Sequence, residues 1–408
     1  MTALREAPQT DSRASGSGVE ASSVEDRAAL TEAAAEFTRR EIFPHMQEWE
    51  DAGALPRELH RKAARAGLMG IGFPESVGGD GGGLLDTIAV QEGMFREGAT
   101  SGLMSVLFTH GIACPHIAAH GSEHLIDTFV RPTLTGEKIG SLGITEPGGG
   151  SDVGNLRTTA VRETAENGAQ YWVINGSKTF ITSATRADFV TTAVRTGGPG
   201  AGGISLIVVP TDTPGFSVDR KLAKMGWHSS DTGELSYVDV RVPIENLVGE
   251  ENAGFWYIAE QFVVERMALA VHGYGIAQRS LDLTVEYCRA RDTFGKSLIT
   301  RQVVRHKLVE MRRQVEAARA YTHLVGQMYA EAGGPNEQVI AQACLAKETA
   351  CNAATYVCDQ AVQLHGGTGY MHGTEVERHY RDARLLPIGG GATEVLTDLT
   401  AKLLGYAS

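Results

Sequence analysis

Two stretches of this 408-residue chain hold residues whose types and spacing can do chemistry. The first is Leu142 to Asp152, Leu-Gly-Ile-Thr-Glu-Pro-Gly-Gly-Gly-Ser-Asp, an apolar strand end that opens into glycines and then hydroxyl and carboxylate groups. Glycines at 148, 149 and 150 remove the Cβ atoms that would hold a flat ligand off the backbone, so the amides can meet anionic or carbonyl groups. The same residues also suit an ordinary turn, and spacing alone does not separate the two readings. The G-x-G-x-x-G spacing of a dinucleotide fingerprint opening a helix is absent, and no Lys-Ser/Thr pair follows at the offset of a P-loop. The second stretch is the apolar run Phe262 to Ala270, which contains Glu265 and Arg266. A carboxylate between Val264 and the stretch Met267 to Val271 has no evident solvated face, and desolvation raises its pKa toward the range useful for proton abstraction near neutrality. The bland alternative for Glu265 is a structural ion pair or an exposed helix charge.

Metal chemistry is not indicated. His365, His372 and His379 recur every seven residues, but Gly366, Gly367, Gly369 and Gly373 interrupt any helix that would align them. Cys344, Cys351 and Cys358 share the same spacing, which on a helix puts them about 10 Å apart, too far for a shared metal or a disulfide. With Cys114 and Cys288 they read as buried small hydrophobes in a reducing cytoplasm.

The elements that must position these residues follow from composition and periodicity. A net charge of -12 argues against nucleic acid or an anionic membrane surface as partner, and no run of about 18 apolar residues is present to span a bilayer. Residues 1–22 have almost no large apolar side chains and lack an apolar signal core, and are expected to be a disordered tail. Ser22-Ser-Val-Glu offers a capping box for a first helix, and further helical stretches at 56–66, 84–97, 101–119 and 123–134 make residues 23–139 an all-helical domain. The period then changes. Tyr171 to Ile174, Asn175-Gly176 and Lys178 to Ser183 predict a hairpin, and strands at 189–194, 204–209 and 235–242 complete a β domain over 140–250. Residues 251–408 return to long helices at 255–290, 302–331, 336–365 and 393–404, whose apolar stripes predict a four-helix bundle. The expected class is therefore α+β.

Taken together, Leu142 to Asp152 and the segment Gln363-Leu-His-Gly-Gly-Thr-Gly-Tyr370, followed by Arg378 and Asp382, resemble the two signature segments of the flavin-dependent acyl-CoA dehydrogenases. The resemblance extends from Val24 to Leu404 and includes the domain order. It implies an FAD site. Leu142, Ile144, Thr145, Gly150 and Ser151 are implied on the loop, and Phe180 and Thr182 on a strand along the flavin ring. Gln363, Gly366, Gly367, Thr393 and Glu394 are implied nearer the carboxyl end. In the family the equivalents of Arg291, Thr293, Phe294 and Gln302 reach the FAD of a neighbouring subunit, which implies a homo-oligomer, a tetramer of paired dimers. Read without the family, Arg291 is a solvated charge at a helix end; with it, its planar fork suits a pyrophosphate. Phe180, Asn155 and Gly373 depart from the residues usual at those places and bear on pocket shape.

In many members the catalytic base is a Glu after the Arg-Asp motif. Here that place is Gly390, within Leu386-Pro-Ile-Gly-Gly-Gly-Ala-Thr-Glu394. A branch that includes the long-chain and isovaleryl enzymes sets the Glu early in the first bundle helix before an Arg, which is where Glu265-Arg266 stands. The resemblance thus implies Glu265 as the base that takes the α-proton of an acyl-CoA, with hydride passing to flavin N5 to give a trans-2-enoyl thioester. Glu394 ranks second as base. The Gly390 N–H and a flavin ribityl hydroxyl are implied to polarise the thioester carbonyl, with Ser151, Arg266 and Gly391 beside the substrate. An electron-transfer flavoprotein is the implied acceptor, and an acyl carrier protein thioester is an alternative substrate. An oxygen-reacting oxidase or monooxygenase and a catalytically retired binding member are the other readings.

Overall fold

The computed structural model describes residues 23–406, and its first element is helix α1 (Val24–Phe37). Its capping box is set one residue later than the sequence suggested. Ser23, not Ser22, is the N-cap: its side chain accepts from the Asp26 N–H at 3.1 Å, while Asp26 accepts from the Ser23 N–H at 3.0 Å. Ser22 and the expected tail at 1–22 lie outside the described residues. Helix α2 (Leu84–Arg96) packs on α1. The single helix expected at 101–119 is broken into Ser101–Leu107, His110–Ala113 and Pro115–His120. Thr109 bonds back to the Ser105 and Val106 carbonyls at the first break, and Pro115 restarts a helix at the second.

The middle of the chain is one seven-stranded sheet. Its strands are β1 (Gly140–Gly143), β2 (Thr159–Thr164), β3 (Gln170–Thr182), β4 (Phe189–Arg195), β5 (Ile204–Pro210), β6 (Phe216–Lys221) and β7 (Thr232–Pro243). They lie in the order β1-β4-β2-β3-β7-β6, with β5 also on β4. The hairpin predicted at Asn175-Gly176 is absent, because β3 runs straight through that dipeptide. The two residues form a bulge against β7, where the Asn175 side chain exchanges bonds of 3.0 and 2.9 Å with the Asp239 side chain and N–H. Gly176 is needed for close approach: a Cβ there would stand 2.5 Å from Thr158 Oγ1. The β2–β3 turn falls instead on a second Asn-Gly pair, Asn167-Gly168, with Gly168 at φ 84° and its N–H donating to the Ala165 carbonyl at 2.9 Å.

The last third consists of α3 (Gly254–Ala290), α4 (Gln302–Glu331), α5 (Glu337–His365), α6 (Glu375–Ala383) and α7 (Thr393–Leu403). Helix α6 adds a fifth member to the expected four. The buried face of α5 is almost entirely small, including Ala343, Cys344, Ala350, Cys351, Ala354 and Cys358, so α3 approaches it closely. A Cβ at Gly273 would lie 2.8 Å from the Ala350 carbonyl oxygen, and one at Gly275 2.6 Å from the Phe95 ring of α2. All three parts meet at one buried junction. The Trp227 N–H donates to Asp382 Oδ1 at 2.6 Å, the Ser229 N–H donates to Glu50 Oε1 at 2.9 Å, and Arg378 lies 3.8 Å from Glu50.

Candidate active site

Glu265 and Arg266 each lie three or four residues from both Phe262 and Leu269 along α3, so the four share one of its faces. Opposite them runs Gly389-Gly390-Gly391, in the turn between α6 and α7. Gly390 has φ 62°, and a Cβ built on it would stand 3.5 Å from Glu265 Oε1 and 2.3 Å from Leu269 Cδ1. The two places where the resemblance sets the base therefore converge on one space. The Glu265 side chain keeps some accessible surface, but protein surrounds it closely, and that desolvation raises its carboxyl against the opposing charges of Arg266 and Lys347. Arg266 is buried, lies 5.1 Å from the Phe262 ring centroid, and its Nε has no hydrogen-bond partner among the described residues. Gly389 donates to the Leu385 carbonyl at 2.9 Å and Thr393 to that of Pro387 at 3.1 Å, while the Gly390 N–H between them donates to no described residue. Glu394, the second candidate base, is exposed on the first turn of α7.

The Leu142–Asp152 segment leaves β1 and passes beside β3. Leu142, Ile144 and Thr145 are half-buried there, and the Thr179 N–H donates to the Thr145 carbonyl at 2.9 Å. The next residue, Phe180, sits at a register shift between β3 and β7, at φ 60° and 68% exposed. A bulky side chain held in the strained left-handed region and also turned out to solvent is a pattern typical of residues that meet a ligand. Behind it the fully buried Lys178 ammonium pairs with Glu146 at 2.8 Å and donates to the Ile144 carbonyl at 3.1 Å, anchoring the loop. Glu146 in turn accepts from the N–H groups of Arg157 and Thr158 at 2.6 and 2.9 Å. Gly150 and Ser151 are exposed, and a Cβ at Gly148 or Gly149 would meet nothing within 4 Å. An open run of backbone donors beside an exposed aromatic face fits a large flat cofactor such as a flavin. Thr182, at the end of β3, is half-buried.

A third group gathers at the far end of the bundle. Tyr287 of α3 stacks on His365 of α5 at 4.3 Å and donates to its carbonyl at 3.2 Å, which brings Arg291 toward Gln363, Gly366 and Gly367. After Arg291, Asp292–Thr293 (β8) and Lys296–Ser297 (β9) form a hairpin whose central residues, Phe294 and Gly295, have φ 50° and 74°. Positive φ at both positions is the type I′ turn. Phe294 at its tip is 99% exposed, with the Arg301 guanidinium 5.9 Å from its ring. Arg291, Gln302 and Gln363 are exposed as well. No hydrogen bond among the described residues joins this group to the Thr145–Phe180 loop. Thr393, at the start of α7, is half-buried.

Three residues of this arrangement were not expected from the sequence. Leu269 faces Gly390, Tyr287 joins the two helix ends, and Lys347 of α5, fully buried, donates to the Gly391 carbonyl at 2.7 Å. A lone lysine inside the Ala- and Cys-rich stretch Ala341 to Ala354 was the available signal for the last.

The chain matches three family descriptions in succession: "Acyl-CoA dehydrogenase, N-terminal domain" over residues 24–137, "middle domain" over 141–240 and "C-terminal domain" over 252–405. The chain belongs to the acyl-CoA dehydrogenase family. It is 36% identical over 374 residues to the mitochondrial long-chain specific acyl-CoA dehydrogenase of Rattus norvegicus, covering 91% of this chain and 84% of that protein. A putative acyl-CoA dehydrogenase structure from Mycobacterium smegmatis shares 58% identity with a TM-score of 0.91, over 95% of this chain and 99% of that one. A subunit named as part of a caffeyl-CoA reductase-Etf complex in Acetobacterium woodii is 32% identical, over 89% of this chain and 93% of that protein. The acyl-CoA dehydrogenases are oxidoreductases that use FAD, and this chain is one of them.

Proposed function

We propose that this acyl-CoA dehydrogenase oxidises the α,β-bond of an acyl-CoA thioester with Glu265 as the proton acceptor. The observation that carries the assignment is the 3.5 Å between Glu265 Oε1 and a Cβ placed on Gly390. A carboxylate arriving from α3 fills the space that a side chain at 390 would enter, so the loss of a carboxylate at 390 leaves the chemistry with a base. FAD, when bound, supplies the acceptor for the β-hydride. Glu265 takes the α-proton, and partial desolvation keeps its carboxylate basic enough to do so. The free Gly390 N–H is placed to donate to the thioester oxygen as negative charge develops there. Loss of the α-proton and β-hydride leaves a carbon–carbon double bond.

Arg266 and Gly391, the chain neighbours of Glu265 and Gly390, would flank the same space, and Ser151 stands on the exposed loop that would border the cofactor. Thr145, Phe180 and Thr182 would meet the ring, while Arg291 with its neighbours would bind the pyrophosphate of FAD on a second copy of the chain. That arrangement supports a homo-oligomer, a tetramer of paired dimers. The Acetobacterium woodii relative, named as a subunit of an Etf complex, supports an electron-transfer flavoprotein as acceptor. Five free, buried cysteines support a reducing cytoplasm, and no described helix is long and apolar enough to cross a membrane. Anaerobic bleaching of the bound flavin by a panel of straight and branched acyl-CoAs tests the activity. Bleaching by none of them would overturn it.

A further inference from the structure

The run Gly389-Gly390-Gly391 has more backbone freedom than any other residue type would give it, yet its middle N–H is the proposed donor to the thioester oxygen. Something must hold it. Gly389 is tied to Leu385, and Gly391 is tied through its carbonyl to the Lys347 ammonium at 2.7 Å. Gly390 itself makes no hydrogen bond to a described residue, so these two bonds are the internal fixings of the segment. Lys347 is an unusual group to find there. It is fully buried on α5, and no carboxylate among the described residues lies within ion-pair distance of it. Burying an ammonium with a neutral carbonyl as partner is costly, so its retention asks for a reason. Its ammonium and the Glu265 carboxyl both border the Gly390–Gly391 segment, so its charge bears on Glu265.

We propose that Lys347 is a positioning residue of the dehydrogenation: its hydrogen bond to the Gly391 carbonyl holds the Gly390 N–H in place, and its charge favours the ionised form of Glu265. The inference rests on the assignment of Glu265 as base. The charged and titratable groups about Glu265 and Lys347 are Arg266 on α3 and Glu348, Cys344 and Cys351 on α5. Arg266 and Lys347 act directly on the Glu265 carboxylate, and Lys347 alone also grips the glycine segment.

Two substitutions separate the roles. Lys347→Met removes both bond and charge, whereas Lys347→Gln keeps a donor within reach of the Gly391 carbonyl without the charge. The measurement is stopped-flow flavin reduction of the FAD-loaded enzyme against pH, with the best acyl-CoA of the panel, together with the flavin spectral shift on binding the matching trans-2-enoyl-CoA. Lys347→Met is expected to lower the limiting reduction rate by roughly 10- to 100-fold and move its acid limb to higher pH. Lys347→Gln is expected to recover most of the rate and of the spectral shift while keeping the displaced limb. An unmoved limb in Lys347→Gln overturns the role of the charge, and a rate in Lys347→Met equal to the parent overturns the role of the bond. If Lys347→Met does not yield folded holoenzyme, the limb of Lys347→Gln decides alone. Glu265→Gln is run beside them. If it reduces at the parent rate, the base assignment itself fails; if it is slow while both Lys347 variants behave as the parent, only the present inference fails.

Discussion

The space between α3 and the Gly389–Gly391 segment and the exposed end of the bundle around Arg291 are built on opposite plans. In the first, the groups that define the space come from one chain. Glu265 faces Gly390, Lys347 holds Gly391, and Leu269 closes the side. In the second, Arg291, Phe294, Gln302 and Gln363 project from the chain, and Phe294 buries almost nothing although it is a large apolar side chain on a strained turn. A site completed internally can be tested with changes that alter rate at constant assembly. A site whose groups have no internal counterpart should show its purpose only when a second copy is present. On the proposed reading, that difference separates chemistry from cofactor capture across subunits.

The sharpest way to break the first half of the comparison is Glu265→Gln, which keeps shape but removes the proton acceptor. Flavin reduction should fall by ~10²- to 10⁴-fold, about 3–5 kcal/mol of barrier, with FAD content and oligomeric state unchanged. The parent enzyme should show the corresponding pH profile. Because burial raises the Glu265 carboxyl above the usual range, the base is protonated at low pH, and reduction should rise with pH through that raised pKa. A profile flat down to the ordinary glutamate range, or reduction at the parent rate in the Gln variant, would move attention to Glu394.

A smaller effect tests the convergence of positions 265 and 390. Adding Gly390→Glu to Glu265→Gln should not by itself restore activity, because its Cβ would fall 2.3 Å from Leu269 Cδ1 on a backbone at φ 62°. Adding Leu269→Ala to that pair removes the clash and should return roughly 10-fold of the lost rate, since a carboxyl from either side then enters one space. Stopped-flow reduction of the triple variant provides the check. Recovery in the double variant without Leu269→Ala would show that the turn yields more readily than its geometry implies.

At the bundle end, Arg291→Ala should weaken FAD retention by about 10-fold, the loss of one charge-assisted contact, and loosen assembly with it. Flavin absorbance per chain and sedimentation velocity measure the two together. A flavin-replete monomer would remove the reason for calling this end a shared site.

The order of helical, β and helical segments was legible because each carries its own period over many residues, and long stripes such as Leu308, Met311, Val315 and Ala318 leave little ambiguity. Asn175-Gly176 misled because a strong turn signal is also what a bulge with close backbone approach requires. Only the contacts of Gly176 with Thr158 and of Asn175 with Asp239 distinguish the two uses, and these come from far along the chain, Asp239 being 64 positions away. The apolar surroundings of Glu265 could be read from its neighbours in the chain. The partner of Lys347 could not, since Gly391 lies 44 residues on and nothing near the lysine in sequence points to it. Sequence shows which segments are apolar; it does not show which buried polar group meets which.

The smallest expected effect is also the most direct test of why the two regions differ. Phe294 is 99% exposed, so Phe294→Ser removes almost no buried area from the isolated chain. A surface change of this kind should alter the stability of the dissociated chain by no more than about 0.5 kcal/mol. Gly295 keeps the turn's second positive φ, and Ser is no worse than Phe at φ 50°. If the ring instead anchors in a second copy, its loss should weaken assembly by roughly 10- to 30-fold, in the range of a modest apolar anchor at an interface. Thermal unfolding of dilute chain and sedimentation equilibrium of concentrated chain therefore give opposite answers for one substitution. A marked loss of stability in the dilute chain would mean that Phe294 packs within its own chain, and equal assembly in both proteins would mean that the exposed hairpin meets no partner copy.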